Sequence, residues 1–342
     1  MEELLGKLGL AQFKPLPFLK SGFLQTVLGA YWPQAKDPGT AELFRVEFAS
    51  LGSRLGSGAN MTDATLVAVD KPANWKTGDP AALLVHGLSG DHLSTYMVRL
   101  TPPLVDQGYL VIRMNLRNAG AALGLSQKTY HAGLTTDIRS VLQWMNLKFA
   151  PGPITGIGFS LGGNLLLLTA AEDAPQKGSG LARLMVVSPA VDLESASRKL
   201  STYPGKWVAK FFIDQLLRDM DYLKAVHPEL QRLKFPKKMS IREFDDVHTS
   251  GVHGFRDAGD YYEQCSSLQH IPNIKIPTLI IGSIDDPVVD LEGLAELKLP
   301  SNIDLILTQH GGHVGYLGFA VRPTKLRWSD DVLMSWLKQK TY

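Results

Sequence analysis

Ile154-Thr155-Gly156-Ile157-Gly158-Phe159-Ser160-Leu161-Gly162-Gly163-Asn164 is the run that decides how this chain is read. Apolar residues suited to a buried strand lead into Gly158-Phe159-Ser160-Leu161-Gly162, and an apolar helical stretch, Leu165-Leu166-Leu167-Leu168, follows. Gly-x-Ser-x-Gly between a strand and a helix is the pattern of a nucleophile elbow. Such a turn is too tight for side chains at its glycine positions. It holds the serine in a strained backbone conformation that lifts the hydroxyl clear of the sheet. The N–H of Leu161 then points, from a helix N-terminus, to where a carbonyl oxygen would turn negative. Five residues recur by chance, and a Gly-rich connection carrying a surface serine is the plain alternative, so the surrounding chain has to decide.

Outward from that run, short apolar stretches recur: Ala81–Val85, Tyr109–Met114, Leu184–Val187, Thr278–Ile281 and Ile303–Leu307. Helical stretches such as Leu134–Leu147 and Leu161–Ala171 lie between several of them. Strands buried on both faces read as continuous apolar runs, and alternation with helices implies a parallel sheet. Glu42–Phe48 and Thr65–Val69 instead alternate with period two around a Gly/Ser-rich turn, which predicts an antiparallel pair. A closing helix is expected over Asp330–Lys340, behind the capping-type residues Ser329 and Asp330. The expected organisation is an arm over 1–40, an α/β core over 41–191 and 271–342, and a helical cap over 192–270 inserted above the sheet.

Composition bounds the function. The chain has 342 residues, 44% hydrophobic and 20% charged, enough for a large core. A net charge of +2 argues against nucleic acid as a partner. The single cysteine, Cys265, leaves no intrachain disulfide and fits a reducing, cytoplasmic setting. The start, Met1-Glu2-Glu3-Leu4, is acidic where a secretory signal needs basic residues, and no apolar run is long enough to span a bilayer. Residues 13–32 mix prolines with aromatics; packing across the core is preferred, with peripheral lipid contact as the alternative.

Functional groups of parallel sheets gather at the carboxyl ends of the strands. After Leu83-Leu84-Val85 comes His86-Gly87-Leu88-Ser89-Gly90, whose Leu88 N–H is placed to join that of Leu161 in an oxyanion hole. His86 is read as a histidine that bonds its own loop. Asp285-Asp286-Pro287 follows the run Thr278–Ile284, and Gly311-Gly312-His313 follows Ile303–Leu307. Ser160, Asp285 and His313 thus come in the chain order of an α/β-hydrolase triad. A serine hydroxyl becomes a useful nucleophile only when a histidine takes its proton, and a carboxylate must fix that imidazole's tautomer. Asp285 is preferred over Asp286 because it comes first after the strand. His313 is preferred over His310 because His310 lies closer to the strand, where its side chain packs or bonds locally, while paired glycines let the His313 ring reach Ser160. Asp245, Asp246, His248 and His253 lack metal-site spacing and are read as anchors of the cap. No dinucleotide fingerprint follows the first strand, and no cofactor is expected.

With these residues in place, the chain resembles the YheT-like, or AB-hydrolase-domain, branch of the α/β hydrolases. The resemblance is carried by Gly22-Phe23-Leu24-Gln25-Thr26, His86-Gly87-Leu88-Ser89-Gly90, Met114-Asn115-Leu116-Arg117 and Tyr130-His131-Ala132-Gly133. It continues through Gly158–Asn164, Arg242–Asp246 with Gly254-Phe255, Tyr261-Tyr262, Asp285-Asp286-Pro287 and Gly311–Gly315. It implies a mostly parallel sheet flanked by helices and a serine esterase acting on small-molecule acyl esters of unspecified chain length, with Ser160 as nucleophile, Asp285 as acid and His313 as base. The branch often has Arg-Gly-Cys-Gly where this chain has Arg117-Asn118-Ala119-Gly120, so substrate fit does not carry over; Arg117 is read as a structural ion-pair partner. Acyl transfer to an alcohol and non-catalytic ligand binding are the rival readings. Oligomeric state is not legible.

Overall fold

The computed structural model describes residues 1–32, 37, 39–48, 63–173, 180–227, 234–236, 238–318 and 326–339. Among them, eight strands form one sheet: β1 (Glu42–Glu47), β2 (Ala64–Asp70), β3 (Ala81–Val85), β4 (Leu110–Met114), β5 (Ile154–Phe159), β6 (Leu181–Val187), β7 (Thr278–Ser283) and β8 (Ile303–Thr308). Their order is β1-β2-β4-β3-β5-β6-β7-β8. β2 runs antiparallel to both β1 and β4, and every pair from β4 through β8 is parallel. The Gly/Ser-rich turn expected between β1 and β2 falls largely within 49–62, outside the described residues.

The side-chain alternation of the strands divides the core in two. Leu83 and Val85 of β3 face one side with Ile112 of β4, under α4 (Thr135–Phe149) and α5 (Leu161–Asp173). Ala82 and Leu84 face the other with Val111 and Ile157, under α1 (Glu2–Lys7), α3 (Thr95–Asp106) and the closing helix. All five residues of β3 are fully buried, hence the unbroken apolar run. Edge strand β1 buries only Val46 and carries Glu42, Arg45 and Glu47 toward solvent.

The segment between β6 and β7 holds α6 (Leu193–Ser201), α7 (Gly205–Val226), α8 (Ile241–Phe244), a π-helical run over Asp245–Ser250, α9 (Gly251–His253) and α10 (Ala258–Cys265). A short helix, α11 (Glu292–Glu296), separates β7 from β8. Near the N-terminus, α2 (Gly22–Tyr31) turns Gly22, Gln25, Thr26 and Gly29 inward.

The closing helix, α12, spans Trp328–Lys338 rather than starting at Asp330. Asp330 does not cap it: its carboxylate forms an ion pair with Arg99 of α3. Trp328 enters the first turn instead, its ring buried and its indole N–H donated to the Ala11 carbonyl at 2.9 Å.

Candidate active site

β5 ends at Phe159, α5 begins at Leu161, and Ser160 makes the whole turn at φ +51°. That left-handed conformation is costly for a side chain and persists because the surroundings allow no other. A Cβ on Gly158 would stand 2.7 Å from the Gly162 carbonyl oxygen; one on Gly162 would stand 2.4 Å from the carbonyl oxygens of Val85 and His86. Both glycines are therefore steric requirements of a helix start pressed against the end of β3.

The loop after β3 sits beside the serine, where a Cβ on Gly87 would come within 3.0 Å of the Ser160 Cβ. His86 locks this loop. Its Nδ1 pairs with the Gly87 carbonyl at 2.7 Å and its Nε2 accepts the Leu116 N–H at 2.9 Å. Burial lowers its pKa to about 4, so it stays neutral while it does so. The N–H of Gly87 is donated to Tyr96 Oη and that of Ser89 to Tyr130 Oη. Between them, the Leu88 N–H is given to no acceptor among the described residues, and neither is that of Leu161 at the helix start.

His313, from the loop after β8, places Nε2 2.8 Å from Ser160 Oγ. Its Nδ1 lies 2.9 Å from Asp286 Oδ2. This corrects the sequence expectation, because Asp285 is not the partner of His313. Asp285 Oδ2 instead meets Nδ1 of the half-exposed His310 at 3.3 Å, and its Oδ1 accepts the Gly312 N–H at 3.0 Å. The reason is local. Pro287 has no N–H, so the turn after β7 closes by giving the Val288 and Val289 N–H groups to Asp286 Oδ1, at 2.8 and 3.0 Å. That draws the Asp286 side chain inward to full burial. Asp285 is left half-buried beside it, holding the glycine turn that carries His313.

Several residues that position His313 had no role in the sequence reading. Thr26 Oγ1 accepts the His313 N–H at 2.8 Å, Ser188 Oγ accepts that of Val314 at 3.2 Å, and Ser283 Oγ donates to the Gly312 carbonyl at 3.0 Å. Arg327 donates to the carbonyls of Gly315, Gly29 and Trp32, tying α2 to the same loop.

The other candidates fall into structural roles. Arg117 pairs with Asp137 through two hydrogen bonds, at 2.9 and 2.6 Å, and with Asp63. Asp245 accepts from Thr249 and Tyr262, and Asp246 from the Ala258 N–H. His248 pairs with Thr129, while His253 packs its ring on His131. Cys265 is buried, with its thiol pushed up to about 12 by desolvation, so it is inert as a nucleophile.

Two hollows meet at Ser160, and both touch Leu88 and Phe212. One, of about 100 Å³, lies beneath α6, α7 and α8. The other, of about 690 Å³, opens between α2, the loop after β3 and α7, and includes His313.

A sheet of this order with a serine at the turn after β5 defines a class: residues 80–320 match the family model described as the alpha/beta hydrolase fold, and the chain belongs to that family. Within it, the chain belongs to the YheT and AB-hydrolase-domain branch. It is 31% identical over 264 residues to YheT of Escherichia coli (strain K12), an esterase by provisional name, covering 75% of this chain and 76% of that one. It is 26% identical to the phospholipase ABHD3 of Bos taurus, over 76% of this chain and 63% of that one, so the match spans less than two thirds of that relative. Against the monoacylglycerol lipase ABHD2 of Danio rerio identity is 27%, over 95% and 78%. Among solved structures, the esterase Pf2001 of Pyrococcus furiosus has the same fold, with TM-score 0.56 and 15% identity over 87% of this chain and 92% of that one. No helix among the described residues is long and apolar enough to cross a membrane.

Proposed function

We propose that this protein is a serine carboxylic-ester hydrolase that works through an acyl-enzyme on Ser160, with His313 as base and Asp286 as the acid. The observation that carries the reading is the unbroken line from Asp286 Oδ2 to His313 Nδ1, at 2.9 Å, and from His313 Nε2 to Ser160 Oγ, at 2.8 Å. Names of relatives that include a phospholipase and a monoacylglycerol lipase support an acyl ester as substrate.

In this mechanism Asp286, already held by two backbone amides, accepts the proton on His313 Nδ1 as a hydrogen bond and fixes the tautomer that leaves Nε2 basic. Nε2 takes the Ser160 proton as Oγ attacks the ester carbonyl. The oxyanion receives the N–H groups of Leu88 and Leu161, each worth about 10²–10³ in rate. His313 then passes its proton to the leaving alkoxide, and a water activated by the same nitrogen releases the acid. No step calls for a cofactor. A cytoplasmic location accords with a chain whose single cysteine leaves no intrachain disulfide.

The test is hydrolysis of p-nitrophenyl butyrate by the wild type and by Ser160→Ala. The reading requires that the variant lose at least about 10³ in kcat while keeping its unfolding midpoint. Hydrolysis retained in Ser160→Ala sinks it.

A further inference from the structure

The two hollows assign the two halves of the substrate. We propose that the ester taken here joins a short apolar acyl group, seated in the small hollow, to a bulkier apolar alcohol, seated in the open one. This rests on Ser160 and His313 acting as nucleophile and base.

The direction follows from the path of the proton. His313 must return to the leaving oxygen the proton it takes from Ser160, so the alcohol departs on the His313 side. Of the two hollows, His313 borders only the open one, with Phe23, Val27, Tyr31, Trp207 and Phe211 around it. Leu161, the proposed oxyanion donor, borders only the small one, while Leu88 borders both. The acyl carbon stays on Ser160 with its oxygen on the Leu161 N–H, so its chain runs away from His313 and into the small hollow.

The walls there are carbon. Leu161, Leu193, Ala196, Leu200, Leu216 and Val289 line it. Several of the polar residues that also border it have hydrogen bonds elsewhere. Asp245 accepts from Thr249 on one oxygen and from Tyr262 on the other. Tyr130 and Tyr261 accept the backbone N–H groups of Ser89 and Ala132. Asn118 donates to the Ser126 and Lys128 carbonyls and accepts from the Gly124 N–H. Asp219 accepts from Gln215, and burial pushes its carboxyl up, which penalises a charge there.

The volume sets the length. An apolar cavity of ~150 Å³ takes a benzene, so about 100 Å³ holds about four carbons. The open hollow, at about 690 Å³, is several times larger and falls within the usual range for small-molecule sites. A longer acyl chain would have to displace Leu200, Leu216 or Phe212, whereas a large alcohol meets open space.

Two ester series test this. With p-nitrophenyl acetate through decanoate, kcat/KM should rise about fourfold per methylene to an acyl length of about four or five carbons and then fall. With butyrates of methanol, hexanol and 2-naphthol, kcat/KM should rise with the size of the alcohol. Leu200→Ala should move the acyl optimum up by about two carbons and leave the naphthyl-to-methyl ratio unchanged. Trp207→Ala should cut that ratio about tenfold or more and leave the acyl optimum in place. Labelling of Ser160 by a fluorophosphonate is run alongside. A labelled wild-type enzyme with its optimum at octanoate or longer overturns the proposal and leaves Ser160 as nucleophile standing. So does a Leu200→Ala variant that changes alcohol preference instead of acyl preference. Absence of labelling overturns both.

Discussion

Thr26 Oγ1 accepts the backbone N–H of His313 at 2.8 Å, although 287 positions separate the two residues. The same hydroxyl donates to the Gly22 carbonyl at 2.7 Å, so the first turn of α2 makes a fixed seat for the backbone that carries the imidazole. A Cβ on Gly312 would stand 2.2 Å from the Gly22 carbonyl oxygen, which shows how closely the two segments meet. The N-terminal arm is thus part of what holds the proposed base in place.

Thr26→Val removes that acceptor and keeps the shape. Leaving the His313 N–H buried without a partner should cost about 1–3 kcal/mol in stability. Because His313 loses its register toward Ser160, kcat should fall about tenfold while KM changes little, and Thr26→Ser should restore it. Equal loss in both variants, or a change confined to the unfolding midpoint, would show that Thr26 does not position His313.

The two adjacent aspartates should separate cleanly. Asp286→Asn places an amide on His313 Nδ1 and favours the wrong tautomer, so kcat should drop by about 10⁴. Asp285→Asn keeps an oxygen for the Gly312 N–H and should cost less than about tenfold. Steady-state kinetics on the pair decides, and the reverse ranking would return the acid to Asp285.

The elbow glycines should tolerate nothing larger. Gly162→Ala drives a methyl into two carbonyl oxygens at 2.4 Å and should cost about 3 kcal/mol or more. Gly6→Ala, in α1 with nothing within 4 Å, should be neutral or stabilise by about 0.5–1 kcal/mol. Urea midpoints of the two variants give the comparison; similar midpoints would mean that the elbow relaxes.

Acid should destabilise this protein above the pH at which ordinary carboxylates titrate. Burial lowers His86 and His248 to about 4, His131 to about 3 and His253 to about 2, against about 6.5 in an unfolded chain. Below pH 6.5 the unfolded chain takes up these protons and the folded one does not, so stability falls as pH drops. Asp245, raised to about 6 by burial, works in the opposite sense below that pH and offsets one proton. The net slope is on the order of 2–4 kcal/mol per pH unit between pH 6 and 4. Urea midpoints at pH 7.5, 6.5 and 5.5 should fall slightly over the first step, since free histidines are already half protonated at pH 6.5, and more than twice as far over the second. A flat profile would mean that these histidines titrate freely.

How much of this could be read beforehand follows from which contacts are local. The strand runs, the elbow and the order of Ser160 and His313 were legible because each rests on neighbours in sequence: apolar continuity, two glycines, a histidine behind a glycine pair. The choice between Asp285 and Asp286 turned on the Val288 and Val289 amides folding back past Pro287. That signal lies within four residues, yet the rule of the first carboxylate after the strand overlooked it. Thr26 could not be assigned a role from its neighbours, since its partner lies at the far end of the chain. The start of α12 was displaced by the same kind of distant contact, between Asp330 and Arg99.

The most direct measurement is intact-protein mass spectrometry after treatment with a fluorophosphonate. The account predicts a single adduct on Ser160, absent from Ser160→Ala and formed about 10⁴ times more slowly in Asp286→Asn. An adduct on another residue, or ester hydrolysis that persists with Ser160 unlabelled, would contradict it.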